Sequence, residues 1–168
     1  TCCMAVTAWR SWKRRSANAK SKIKPKRSII FMSVDGEEAG LTGSTYYTNH
    51  SLVPQNKVVA ILNLEQVGVG EMLGANYHYK YPELAELSEK ANDRYVHRRL
   101  FTSETHFLTR PRTDGAVFMK AGYPCIDLWA LGGGYYHHPK DNTQSINPDI
   151  LRAATEWLYW TTIFIADK

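Results

Sequence analysis

The chain has 168 residues, of which 43% are hydrophobic and 12% are aromatic. That length allows one ordinary hydrophobic core and is too short for two, so we expect one domain or part of one. No run approaches the roughly 18 to 20 consecutive apolar residues of a membrane span, and no N-terminal apolar segment with a cleavage site is present.

The net charge of +5 is concentrated in one segment. Nine of the 21 basic residues lie between Arg10 and Arg27, and no Asp or Glu precedes Asp35. The rest of the chain carries 12 basic and 16 acidic residues, a net charge of −4. An acidic body with one basic segment is not typical of a surface that follows phosphates, so no nucleic-acid partner is expected. The segment itself is either a localisation or nucleic-acid patch or a solvated stretch before a strand.

Short apolar runs at residues 29–34, 58–64 and 125–131 predict three strands covered on both faces. Cys125 begins the third run and is predicted to be a small core residue. The three cysteines form neither a spaced metal motif nor an even disulfide framework.

Helical patterns lie between and after these runs. Residues 82–97 place apolar side chains on one face, and Asn147 as N-cap with Pro148 at the first helical position opens a C-terminal helix. Residues 1–20 also favour a helix, with alanines and tryptophans on one side. Strands that alternate with helices predict an α/β layer architecture.

Two acidic residues, Glu37 and Glu38, come directly after the first predicted strand. Ligand sites in open α/β sheets gather at the carboxyl ends of strands. Adjacent residues in extended backbone point in opposite directions, so one carboxylate can bind a metal while its neighbour faces the water that the metal activates. A turn whose acids interact with the dipole of a following helix is the alternative interpretation.

Further metal-binding residue types follow the other two strands. Glu65 ends the second run, and His137 and His138 follow three glycines after the third run. A single acid at such a position is usually a surface residue, and paired loop histidines are usually solvated. Carboxylate oxygen and imidazole nitrogen are nevertheless ligands that zinc prefers, and three strand ends deliver them.

Four sequence blocks occur in one order. They are residues 35–44 (DGEEAGLTGS), 63–68 (NLEQVG), 110–118 (RPRTDGAVF, with GYP at 122–124) and 136–141 (YHHPKD). With these blocks the chain resembles metallopeptidase family twenty-eight, the co-catalytic zinc aminopeptidases and their carboxypeptidase relatives. The resemblance covers roughly residues 21 to 165.

The resemblance implies an α/β, three-layer zinc-exopeptidase fold with a mixed, mainly parallel central sheet flanked by helices. Residues 21–168 would be the C-terminal part of the peptidase domain, and residues 1–20 an atypical basic segment. The family's first strands carry a histidine ligand and an aspartate that bridges two metals. This chain has no histidine before His50 and no acid before Asp35. We therefore expect the N-terminal strands and two ligands to be missing, with an unpaired sheet edge as a result.

The resemblance also implies roles for the residues at the strand ends. Glu37 would be the general base, and Tyr136 would donate a hydrogen bond to the oxyanion unless it packs over its loop. Glu38, Glu65 and His137 would be metal ligands, with glutamate at position 65 where the family commonly has aspartate.

Three more residues are expected near the substrate. The resemblance places Arg112, Asp114 and Tyr135 at the border of the substrate pocket. Thr113 and Asp114 fit equally well as caps of the helix that follows.

The implied function is a zinc-dependent exopeptidase, an aminopeptidase that acts on peptides. A complete domain would hold two zinc ions, whereas this chain would hold at most one weakly and would be impaired. Secretion, a periplasmic location or a membrane anchor is expected for the full-length protein, and the oligomeric state is not indicated. The alternatives are a catalytically inactive peptidase-like binding module and a glutaminyl-cyclase-like acyltransferase.

Overall fold

The computed structural model describes residues 25–105 and 111–168, together with the backbone of residues 3–9. Its centre is a six-stranded sheet in the order β2-β1-β3-β6-β4-β5. The strands are β1 (Cys3–Trp9), β2 (Ser28–Val34), β3 (Ile61–Leu64), β4 (Met72–His78), β5 (Leu100–Thr105) and β6 (Cys125–Leu131).

Strand directions determine which strand ends meet. β3 pairs with β6 in parallel and β4 pairs with β5 in parallel. β1 is antiparallel to both β2 and β3, and β4 is antiparallel to β6. The predicted mixed sheet is confirmed, although parallel pairing is less extensive than predicted because β1 runs against both of its neighbours and β4 runs against β6. β2, β3 and β6 therefore run in the same direction, and their carboxyl ends lie at one edge.

Helices cover both faces of this sheet, which confirms the three-layer arrangement. They are α1 (Thr42–Asn49), α2 (Pro82–Ala91), α3 (Asp114–Lys120) and α4 (Pro148–Ala166). On one face, Tyr47 of α1 packs edge-on against Phe118 of α3, with ring centroids 5.9 Å apart. On the other face, Trp157 of α4 is fully buried in a cluster that includes Leu84 of α2. No helix in the described part of the chain is long and apolar enough to span a bilayer.

The N-terminal segment differs from its prediction. The expected helix at residues 1–20 is wrong where the structure describes it, because Cys3–Trp9 is a strand. Residues 1, 2 and 10–20 lie outside the described residues. β1 pairs along its length with β2 and also pairs with β3 through Val6 and Thr7. Pairing on both sides satisfies backbone groups of three strands, and such tertiary pairing overrides a weak local helical pattern. Within the described residues, β1 thus occupies one edge of β3.

The other elements follow the sequence pattern to different degrees. The strand predicted at residues 125–131 is confirmed at the same bounds, and Cys125 is fully buried as predicted. The run at residues 58–64 forms a strand only from Ile61, where pairing with β6 begins. The helix predicted to residue 97 changes after Ala91 into a π-helical turn, Asn92–Val96. The Asn92 side chain bonds both backbone polar groups of Arg98, which turns the chain out of the helix.

Asn147 caps α4 as predicted and also fixes a loop. Its Oδ1 accepts hydrogen bonds from the backbone N–H groups of Asp149 at 3.1 Å and Ile150 at 3.4 Å. Its Nδ2 donates to the carbonyl of Gly70 at 2.9 Å, and its backbone N–H donates to Gly68 at 2.8 Å. The helix start is thereby tied to the loop that follows β3.

Replacement of Asn147 by alanine is expected to lower the free energy of unfolding by about 1 to 2 kcal/mol, because the cap and the loop bond are both lost. Chemical denaturation of the purified chain measures this change. Asn142→Ala is the matched control, since Asn142 caps only the exposed three-residue helix Thr143–Ser145. Equal losses in the two variants would contradict a special role for Asn147.

Candidate functional site

The turn after β2 presents two acids at the edge where β2, β3 and β6 end. Gly36 and Gly40 have φ of 68° and 94°, in the left-handed region that favours glycine. A Cβ atom at Gly43 would lie 2.4 Å from the carbonyl oxygen of Asp35, so only glycine fits where α1 begins. Glu37 and Glu38 precede α1, which has no acid in its first turn. The segment is therefore a turn, and both acids lie before the first turn of α1.

Glu38 and His137 meet across the site although 99 positions separate them. The His137 Nε2 atom lies 2.8 Å from Oε1 of Glu38, and both side chains are about half exposed. His137 has φ of 55°, and the ring of Tyr136 stacks on the imidazole with centroids 3.7 Å apart. A non-glycine residue in this conformation is strained, and such strain persists where the surroundings hold it. Two of the predicted metal ligands are thus neighbours.

Glu65 is not the surface residue that a single acid at a strand end usually is. Its relative exposure is 6%. Oε1 of Glu65 accepts hydrogen bonds from Nδ2 of Asn63 at 2.8 Å and from the backbone N–H of Asp114 at 3.2 Å. The carboxylate is therefore held between β3 and the start of α3, apart from the contact of Glu38 with His137.

The sequence left open whether Thr113 and Asp114 cap the helix that follows, and the structure shows that Thr113 alone is the N-cap. Thr113 is the N-cap of α3, and its Oγ1 accepts from the backbone N–H of Ala116 at 3.0 Å. Asp114 is completely buried, and neither of its carboxylate oxygens has a hydrogen-bond partner among the described residues. A buried carboxylate without a hydrogen-bond partner is energetically costly. Its position in the first turn of α3 places the charge beside the positive end of the helix dipole, which reduces that cost.

Asp127 is a site residue that the sequence analysis missed. It lies on β6 with 3% exposure, where Oδ1 accepts from Nδ2 of Asn63 at 2.8 Å and Oδ2 accepts from Oγ1 of Thr113 at 2.6 Å. Burial raises the pKa of Asp127 to about 7, and the charges of Glu65 and Asp114 act in the same direction. The signal in the sequence was a lone acid inside an apolar run.

Glu37 is electrostatically part of this group of acids. Burial raises its pKa, followed by the charges of Glu38 and Asp114, while His137 lowers it. Coulombic effects decline with distance, so these three residues lie within interaction range of the Glu37 carboxylate. A raised pKa brings a carboxylate closer to the range in which it exchanges protons at neutral pH.

The remaining predicted residues are open to solvent. Tyr136 and Tyr135 are 60% and 47% exposed, and Arg112 is exposed at the start of the segment that leads into α3. The ring of Tyr135 lies near His138, with centroids 5.7 Å apart. Their predicted roles toward substrate stay predictions.

The donors in the described residues are of the types that zinc prefers, but they are fewer than a zinc site requires. Glu38 and His137 supply a carboxylate oxygen and an imidazole nitrogen at one point, and both are common zinc ligands. Within the described residues, no three His, Cys, Asp or Glu side chains are grouped closely enough to hold a metal ion. Two donors at one point are fewer than the three protein ligands of a typical catalytic zinc site.

Comparisons with known proteins agree on one family. The sequence model of peptidase family M28 matches residues 6–161. A probable leucine aminopeptidase of Arthroderma benhamiae is 28% identical over 117 residues, which are 67% of this chain and 32% of that protein. A vacuolar membrane protease of Clavispora lusitaniae is 29% identical over 140 residues, which are 76% of this chain and 12% of that protein.

The fold is likewise that of solved zinc aminopeptidases. The structure of a zinc aminopeptidase from Bacillus subtilis superposes with a TM-score of 0.71 at 21% identity, over 88% of this chain and 38% of the other. This chain therefore spans about a third of the length of the leucine aminopeptidase and of the solved enzyme.

The buried acid Asp127 is expected to make stability depend on pH. Because its pKa rises from 3.8 to about 7 on folding, the folded state binds more protons than the unfolded state between these values. Stability contributed by this group is therefore highest below pH 4 and declines until about pH 7. Relative to Asp127→Asn, the wild-type chain should lose at most about 4 kcal/mol across this interval.

Denaturation of both variants at several pH values, with a chelator present, measures the difference. The exposed Asp149→Asn serves as control and should follow the wild-type pH curve. Parallel curves for the wild type and Asp127→Asn would show that Asp127 ionises normally in the folded chain.

Proposed function

The chain belongs to peptidase family M28, and on that premise we propose that it is part of a zinc-dependent aminopeptidase with Glu37 as general base. One observation carries the proposal: Glu38 and His137, 99 positions apart, contact each other at 2.8 Å beside Glu37. The aminopeptidase names of several relatives support the same class of reaction.

Each site residue then has a distinct part. Glu38, His137 and Glu65 would hold zinc, which when bound polarises the peptide carbonyl and lowers the pKa of water. Glu37 accepts a proton from water and donates it to the leaving amine, a task that its raised pKa favours. Tyr136 is exposed beside His137, where its hydroxyl can donate to the carbonyl oxygen as negative charge develops.

The charge of the site favours the amino end of a peptide. Five carboxylates, those of Glu37, Glu38, Glu65, Asp114 and Asp127, interact in this region. A negative potential attracts the ammonium group of a peptide N-terminus and repels a C-terminal carboxylate. Arg112, Asp114 and Tyr135 are proposed to border the substrate.

The chain as given is proposed to be weak in metal binding. Only two donors meet at one point in the described residues, and the histidine and bridging aspartate of the family pattern are not found before Asp35. The same observation favours a second candidate function, a metal-free peptidase-like module that binds peptides, because Glu38 and His137 satisfy each other by a direct hydrogen bond.

The complete protein is proposed to be secreted, periplasmic or membrane-anchored. A relative from Clavispora lusitaniae is named a vacuolar membrane protease, which supports the membrane-anchored alternative.

Substitution of Glu37 by glutamine is expected to reduce turnover of an aminoacyl reporter amide by about 100- to 10,000-fold, because proton transfer is lost while shape is kept. The measurement is made with added zinc, on this chain and on any longer form of the protein. Glu83→Gln, in the exposed first turn of α2, is the matched control. Undiminished turnover by Glu37→Gln would remove Glu37 as the base.

Zinc titration tests the ligand assignment and separates the two candidate functions. At most one zinc ion per chain is expected, with an affinity that falls about 10-fold or more in His137→Ala, because a nitrogen ligand is lost. His138→Ala, the adjacent exposed histidine, should leave the affinity unchanged. If calorimetry detects peptide binding but no zinc binding by the wild-type chain, the result would favour the metal-free module.

A further inference from the structure

A cavity of about 270 Å³ lies between the sheet and α3. Ala116 and Met119 of α3 and Trp129 of β6 form its apolar wall. Asn76, Thr113 and Asp127 supply polar groups. The cavity therefore combines an apolar surface for a hydrocarbon stem with an acid for a polar end.

The cavity adjoins the proposed catalytic site through shared residues. One nitrogen, Nδ2 of Asn63, lies 2.8 Å from Oδ1 of Asp127 and 2.8 Å from Oε1 of Glu65. Thr113, which lines the cavity, immediately precedes Asp114, whose backbone N–H bonds to Glu65. A substrate at Glu65 would thus have the cavity directly beside it.

Asp127 has acceptor capacity left for a ligand. A carboxylate offers about four lone-pair sites, of which the hydrogen bonds from Asn63 and Thr113 use two. Neither Asp127 nor Asp114 has an ion pair in the described part of the chain. As far as the described residues extend, the end of the cavity near Asp127 is therefore negative and holds no paired cation.

The side chains that match this environment are lysine and arginine. Their aliphatic stems pack along apolar surface while the charged end seeks water or an acid. The indole of Trp129 offers a favourable face for a cation, and the carboxylate of Asp127 offers a charge-assisted hydrogen bond.

We propose that this cavity is the specificity pocket for the first side chain of the substrate and that Asp127 selects lysine or arginine there. The inference rests on the proposed aminopeptidase function, because it concerns the substrate of that site. A bound cation also offsets the burial and like charges that raise the pKa of Asp127.

Binding of single amino-acid amides to the wild-type chain tests the pocket without requiring catalysis. Calorimetry at pH 8.5, where Asp127 is ionised, compares lysinamide with norleucinamide, which has the same stem without the ammonium group. Lysinamide is expected to bind at least 10-fold more tightly. Equal binding, tighter binding of norleucinamide, or no binding of either at millimolar concentration would overturn the proposal.

Two variants assign the preference to this cavity. Asp127→Asn keeps the volume and should remove the 10-fold preference, whereas the exposed Asp149→Asn should keep it. Ala116→Leu leaves Asp127 intact and fills the cavity, so it should weaken both amides; circular dichroism verifies that each variant is folded. A 10-fold preference that survives Asp127→Asn, or unchanged binding of both amides by Ala116→Leu, would place lysine selection elsewhere.

Turnover of lysyl and leucyl reporter amides, measured in parallel, separates this inference from the proposed function. Selective binding of lysinamide without turnover in any form of the protein would sink the aminopeptidase function and leave the pocket standing. Turnover with a leucyl preference would sink the pocket and leave the aminopeptidase function standing.

Discussion

The amide group of Asn63 is the interaction on which the site depends. Its single nitrogen has two hydrogens, and these go to two carboxylates, Glu65 at the end of β3 and Asp127 on β6. Asn63 and Asp127 are register partners, and Asp127 is in turn the register partner of Asn76 on β4. A row of polar groups, buried at Asn63 and Asp127 and half-buried at Asn76, thus crosses three strands on the face that α3 covers. Without the amide, two acids would lie close together in a low dielectric with no donor between them.

Helix α3 completes this arrangement at its N-terminus. The Thr113 hydroxyl accepts from the first turn of the helix and donates to Asp127, so one side chain both caps the helix and holds the acid. The backbone N–H of Asp114 binds Glu65. The positive end of the helix therefore faces the acids, and buried negative charge is tolerated where backbone donors are oriented toward it. This arrangement explains how several acidic side chains can be buried between the sheet and α3.

Much of the site was predictable because it lies at strand ends. Glu38 and His137 were predicted as ligands of a common site, and the structure brings them into contact, since strands that run in one direction place their ends at one edge. Asp127 was not predicted, because a residue inside an apolar run is interpreted as core, and only pairing across strands shows its partners.

Residues 3–9 were predicted as helix, because the local sequence pattern carries no information about the two strands with which that segment pairs. β4 and β5 were missed as well, since their mixed polar and apolar sequences lack the continuous runs that identified the other strands.

Gly115 has a consequence for how such a chain can change over evolutionary time. A Cβ atom at Gly115 would lie 2.5 Å from the carboxyl carbon of Asp127, so α3 can approach β6 only because this helix position has no side chain. A larger residue at 115 is then accessible to a lineage only after position 127 has become smaller. The order of the two substitutions is fixed by packing, and the acid and the glycine are expected to be inherited as a pair.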